Sequence, residues 1–175
     1  MSKLEFHSRV SWTQDLIVSD WTLTGHPPGH SERKWSDVEA WGVGRPVPNQ
    51  LEGLWMLMRH APYYHFISNR AVGVIALEGE LRRRGCSERN STEVKQQADA
   101  RAFRDLRIEV GGLFGDGGEA AWQALEETEV CGMVDVRTAI VRLSKGDRAR
   151  LDELIATAAK DPRDVLMWAQ ADHLI

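Results

Sequence analysis

The sequence predicts an α+β fold, mostly α, in which an N-terminal β-hairpin packs on a bundle of five to seven helices. Three observations predict it. The opening segments alternate apolar and polar residues with period 2, the spacing of a strand. From residue 90 onward apolar residues return every three to four positions between recognisable helix caps. Trp12, Trp21, Trp35, Trp41 and Trp55, five of the seven tryptophans, crowd the first third, so composition changes along the chain as well.

A chain of 175 residues suits one domain, with a subdivision into a strand- and loop-rich part (1–48) and a helical part (49–175). Hydrophobic residues make up 42%, enough to offset chain entropy and exclude pervasive disorder.

In "LEFHSRVSW" the residues Leu4, Phe6, Val10 and Trp12 share a face. In "DLIVSDWTLTG" Ile17, Trp21 and Leu23 share one and Leu16 and Val18 the other. These are the strands of the hairpin, and "TQD" is its turn. "GHPPGHSERK" reads as a loop, because Pro27 and Pro28 break regular structure. "WSDVEAWGVG" fits a short helix or a strand equally, and "RPVPN" is a second loop. Asn49 then caps a helix "QLEGLWMLMRHA", with Leu51, Leu54, Trp55 and Met58 on one face. Pro62 stops it, and "YYHFIS" is extended. "SNRAVGVIALEGELRRRG" favours a buried helix over a strand through Ala71–Leu77, on grounds of length.

"NSTE" at Asn90–Glu93 has the form of a capping box. The helix after it repeats Val94, Ala98, Ala102, Leu106 and Val110 and ends in the glycines of "GGLFGDGG". That cluster lacks Gly-Lys-Ser/Thr, so it is a turn and not a phosphate loop. Further helices follow around Ala121, Trp122 and Leu125, through "VDVRTAIVRLS", and around Leu151, Leu154, Ile155 and Ala158. The last begins at Asp161–Pro162 with Val165, Trp168 and Ala169 inward.

The formal charge of −4 argues against nucleic acid as a broad electrostatic partner. The dense basic run "LRRRG" fits a solvated helix end. Cys86 and Cys131 sit in no metal or redox spacing, and reduced thiols in a cytoplasmic protein are the simpler expectation. "MSKLEFHSRVSW" has no apolar h-region, and no apolar run is long enough to span a bilayer, so neither a signal peptide nor a membrane is expected.

Two histidine pairs carry the candidate chemistry: His26 with His30, and His60 with His65. Neutral imidazole ligates zinc and other divalent metals, so convergence of the pairs would make a metal site of His26, His30, His60 and His65. Neither pair has the HExxH form, and no cofactor is otherwise expected. Within "RHAPYYHF", His60 belongs to a helix end, while Tyr63 and His65 share a face of an extended run. Trp35 and Trp41 flank polar loops and are the candidate partner surface, alongside Tyr63 and His65.

"YYHFISNRAVGVIALEGEL" resembles the opening of some ADP-ribosyltransferases, where a strand of Tyr-His-Phe-Thr type runs into a helix ending in Gly-x-Leu. The resemblance implies that His65 touches the ribose of NAD with Tyr63 or Tyr64 alongside. The family also needs a later strand bearing a stacking group, and usually a glutamate; no tyrosine follows Tyr64. "LSKGDRARLDELIATAAKDPRDVLMWA" is similar to the tails of small bacterial proteins, which implies a bacterial origin. With no catalytic signature, the expected function is a bacterial accessory or regulatory protein that binds a macromolecule, a protein partner or a second copy of itself. The alternative is an enzyme built on the histidine loops, either a metal-dependent hydrolase or an NAD-using, ADP-ribosyltransferase-like protein.

Overall fold

A computed structural model describes residues 6–24, 27–46, 51–128 and 133–174. The fold is α+β, with seven strands and six α-helices among the described residues. The chain divides into two compact units, Met1–Ala100 and Arg101–Ile175.

In the first unit, β1 (Phe6–Trp12) and β2 (Leu16–Leu23) form the expected antiparallel hairpin. Its turn is closed by Thr13, whose Oγ1 accepts from the N–H groups of Asp15 and Leu16. The stretch read as a loop after Pro28 is instead a third strand, β3 (Gly29–Lys34), paired antiparallel with β2. "GHSERK" carries no apolar alternation because β3 is an edge strand facing a polar region. That is why its pattern does not read as a strand.

The second sheet corrects a larger expectation. Residues 53–58, expected in a helix, form β5 (Gly53–Met58), flanked by β4 (Val38–Gly44) and β6 (Tyr64–Ser68). With β7 (Ser87–Glu88) the order is β6-β5-β4-β7. Every residue of β5 is buried. Leu54, Met56 and Met58 join one core cluster, while Trp55 and Leu57 join another on the opposite face. A strand apolar on both faces satisfies helical spacing by default, so period alone does not separate the two. Asn49, the expected cap, lies outside the described residues.

The helix expected near Ala71–Leu77 is α1 (Val74–Arg83). Its entry is fixed by a close approach to β1. Val10 N–H donates to Val72 O at 2.8 Å and Val72 N–H to Ser8 O at 3.0 Å. At Gly73, φ is +92° and an added Cβ would lie 2.4 Å from Val10 O, so only glycine fits. Leu77 and Leu81 pack with Val10, Ile17, Leu54, Met56 and Ile67, which places α1 against the core shared by the two sheets. Ile75, by contrast, is 81% exposed, so the helix is not buried all round. The arginine run is a helix end: Arg83 and Arg84 bond Glu80, holding its carboxyl down at about 2, and Arg82 pairs with Glu88.

α2 (Ser91–Phe114) starts as the sequence implies, with Asn90 Oδ1 accepting from Thr92 N–H at 2.8 Å. The boundary between the two units falls within it. It continues through Gly111 and Gly112 before a short 3₁₀ turn at Gly115–Gly117. The second unit adds α3 (Gly118–Glu126), α4 (Val134–Ser144), α5 (Arg148–Lys160) and α6 (Pro162–Ala171). Leu106, Val110, Trp122, Leu125, Ile140, Leu151, Leu154 and Val165 form one continuous apolar core there. Asp147 and Asp161 cap α5 and α6 by accepting from Arg150 and Arg163 N–H. Trp168, expected inward, is 42% exposed; Val165 and Ala169 alone take the buried stripe of so short a helix. No described helix is long and apolar enough to cross a membrane. Cys86 is a free, half-buried thiol whose pKa is raised by burial; Cys131 lies outside the described residues.

Candidate ligand cleft between the two sheets

Period-2 alternation decides what the first sheet shows to the second. On the inner face, cross-strand pairs run Ile17 with Arg33, then Ser19 with Ser31, then Trp21 with Gly29. The face therefore changes from apolar to polar along two adjacent strands. Ile17 is 1% exposed and belongs to the core. Ser19 and Ser31 are also buried, at 6% and 9%.

His65 of β6 meets this face from the other sheet. Ser19 Oγ and His65 Nε2 share a hydrogen bond of 3.0 Å, and both residues are buried. Nδ1 of the same ring has no hydrogen-bond partner among the described residues. Burial pushes the His65 pKa down to about 4, with a further push from the Arg33 cation. The imidazole is therefore neutral at physiological pH.

Arg33 is the unusual member. Its Nη1 donates to Glu32 O at 2.8 Å, but its Nε is buried with no partner among the described residues. No carboxylate pairs with it among the described residues. Ser31 Oγ is likewise buried and unpartnered. Buried polar atoms are nearly always satisfied, so two orphans on one face of β3 are unusual. Both residues line a cleft of about 570 Å³ together with Trp21, His30, Glu32 and His65. A smaller cleft of about 280 Å³, which includes His60, shares Glu32 and Arg33 with it.

The outer face carries a charged cluster. His30 Nδ1 lies 2.7 Å from Asp20 Oδ1, and its Nε2 lies 3.4 Å from Glu32 Oε1. The hydrogen bond to Asp20 is the first cause of a raised His30 pKa, and that to Glu32 the second. Both nitrogens are thus engaged by carboxylates, an arrangement suited to a cationic ring and not to a metal ligand.

Of the residues singled out from sequence, the structure brings His30 and His65 to one cleft and His60 to the adjoining one. His60 belongs to the exposed β5–β6 turn and not to a helix end. His26 lies outside the described residues. No group of three or more His, Cys, Asp or Glu is placed to hold a metal ion among the described residues. Tyr63 does not join His65: it precedes β6, where alternation begins, and packs with Tyr64 and Phe66 on the opposite side, beside Trp55 and Leu57.

Trp35 and Trp41 offer no partner surface. They are 8% and 0% exposed, and their indole N–H groups donate to Thr13 O and Cys86 O, both at 3.1 Å. Arg84 lies over Trp35 at 4.1 Å from the ring centroid, and Arg82 over Trp41 at 4.9 Å. A loop-flanking tryptophan satisfied in this way is core. Sequence reasoning missed Ser19, Ser31 and Arg33. Their signal was small or charged residues at inward positions beside Ile17 and Trp21, but it needed the register of β3 to be visible.

Comparison of the chain with family models, with curated proteins and with solved structures yields no match. The stretch read as resembling ADP-ribosyltransferases spans β6 and α1. Among the described residues, however, only helices follow β7, so the later strand the family requires has no counterpart there.

Proposed function

We propose that the protein is a binding protein whose first unit takes up a small oxyanion, a carboxylate or phosphate ester, in the cleft between its sheets. The observation that carries this is the Arg33 guanidinium, held with a buried, unpartnered Nε beside the unpartnered Ser31 hydroxyl. A guanidinium drawn partly out of water gains nothing from that position until an anion meets it, and its planar fork matches a carboxylate or phosphate with two parallel hydrogen bonds. The neutral His65 ring, oriented by Ser19, adds a hydrogen-bonding group without a competing charge. Ser19 itself does not line the cleft, so its hydroxyl serves to hold the ring and is not presented as a nucleophile. Calorimetric titration with ethyl phosphate and with propionate tests the reading. Binding by wild type that falls at least tenfold in Arg33→Gln supports it. No heat with either anion, or equal affinity in the variant, overturns it.

Trp168 favours a second reading, the protein contact expected from sequence. It and the adjacent Met167 on α6 are 42% and 62% exposed, more than core packing requires. This reading assigns the second unit to a protein partner or to self-association. Sedimentation velocity across a concentration series, comparing wild type with Trp168→Ser, distinguishes a second copy from a monomer that needs another partner.

A further inference from the structure

We infer that the ligand of the cleft is a zwitterion, carrying a cationic nitrogen a short linker away from the oxyanion. The inference rests on the oxyanion reading above and extends it from the other half of the cleft.

That half is built differently. Trp21 pairs with Gly29 across the strands, and its indole lies down on the glycine backbone: a Cβ added at Gly29 would fall 2.0 Å from Trp21 Cε2. Any other residue at 29 would lift the ring. The indole is thereby held as a platform, 37% exposed and lining the same cleft as Arg33. A flat indole face attracts a cation through its quadrupole, and a tryptophan face is the best of the side chains at this.

The charges support the same occupant. Glu32 lines the cleft with its carboxylate about half exposed, and its one ionic contact among the described residues is the 3.4 Å approach to His30. His30 is held more closely by Asp20, at 2.7 Å. Glu32 therefore keeps charge to offer. Arg33 does not take it up, because successive residues of a strand point to opposite faces, and the guanidinium turns to the backbone carbonyl of Glu32 instead. The cleft thus receives the Arg33 cation and the Trp21 face from one side of the edge strand β3 and the Glu32 carboxylate from its other side.

Ser31 and Gly29 are two residues apart on β3, roughly 7 Å along a strand. That spacing suits an oxyanion and an ammonium joined by two or three carbons. A plain anion would fill only the Arg33 end, and a plain cation only the Trp21 end.

Matched pairs of ligands test this: ethyl phosphate against phosphoethanolamine, and propionate against β-alanine, titrated calorimetrically into the full chain. Within each pair the oxyanion and linker are the same, and only the ammonium differs. The expected result is that the ammonium-bearing member binds about tenfold tighter. Glu32→Gln and Gly29→Ala should each erase that preference, the first by removing charge and the second by lifting the indole. Arg33→Gln should abolish binding of both members. Equal affinity within both pairs would overturn the zwitterion while leaving the oxyanion site standing. A preference that survives both Glu32→Gln and Gly29→Ala would overturn the assignment to this end of the cleft. No binding by any of the four would overturn the oxyanion reading itself.

Discussion

The two units of this chain solve packing in opposite ways. The helical unit closes one apolar core from Leu106 to Ala169, and the buried polar side chain within it, Ser144, returns its hydroxyl to Val141 O at 2.6 Å. The sheet unit buries Ser19, Ser31 and His65 on facing surfaces and leaves Ser8 Oγ, Ser31 Oγ and Arg33 Nε without partners among the described residues. The helical unit's own orphan is the indole N–H of Trp122. A core that maximises stability has no reason to place a guanidinium and two serines where apolar side chains would fit. Two of the four orphans among the described residues, Ser31 Oγ and Arg33 Nε, belong to residues of one cleft, and that contrast is what the binding proposal rests on.

The largest effect that tests this contrast lies in the helical core. Leu154 is 1% exposed in the middle of α5. Leu154→Ala should cost about 2–5 kcal/mol, the range for a buried leucine replaced without collapse of the cavity. Urea unfolding followed by circular dichroism measures it. A loss under about 1 kcal/mol would mean that the helical core is loosely packed, and the contrast between the units would fail.

Next in size is a pH effect confined to the sheet unit. Burial holds the folded-state pKa of His65 at about 4, below the 6.5 of an ordinary histidine. Well above pH 6.5 the ring is neutral in both states and contributes nothing to pH dependence. As pH falls from 6.5 toward 4 the unfolded chain takes the proton first, so stability drops; below 4 both states are protonated and the drop ends. The full loss is on the order of 3 kcal/mol. Stability measured at intervals between pH 7 and 4 should show it, and His65→Gln should flatten that window. The loss below pH 4 should remain, because it belongs to Glu80 and Asp161, whose pKa values are held down at about 2 by their arginine partners.

The same contrast explains what was legible beforehand. The helical part could be read almost element by element, because its helices carry apolar stripes and several start at an aspartate or asparagine. Asn90, Asp147 and Asp161 all act as caps. The sheet unit was legible at the hairpin, where alternation is visible, at "YYHFIS", which is β6, and at α1, but not elsewhere. β5 is buried on both faces and lost its alternation, so "GLWMLM" passed for a helix. β3 lacks apolar residues altogether, so "GHSERK" passed for a loop. The cleft depends on the register that sets Ser19 beside Ser31 and Trp21 beside Gly29, a long-range fact that no local pattern carries. Of the residues singled out from sequence, His30 and His65 line the cleft. Trp35 and Trp41 were misassigned because a buried indole with a hydrogen-bonded N–H looks, in sequence, like one flanking a loop.

A smaller effect tests a helix end. Asp161 Oδ1 accepts from Arg163 N–H at 2.9 Å at the start of α6, with Pro162 at the first helical position. Asp161→Ala should cost about 1 kcal/mol. Asp161→Asn should restore most of it, since an amide oxygen caps as well as a carboxylate. If Asn fails to rescue, the ion pair with Arg163, and not the cap, is what the aspartate supplies.

The smallest expected change in stability is the most informative about the cleft. Arg33→Met removes a half-buried cation that has no carboxylate partner among the described residues and keeps a stem of similar length. Unpartnered buried charge destabilises the fold that carries it, so the variant should lie within about 0.5 kcal/mol of wild type or on the stable side. Replacement of an arginine that held the sheets together would instead cost several kcal/mol. Thermal unfolding with and without ethyl phosphate separates the two. In wild type the anion should raise the midpoint by mass action, and in Arg33→Met it should not. A variant that is markedly destabilised would make Arg33 a structural residue and remove the distinction between a unit built to pack and a unit built to bind.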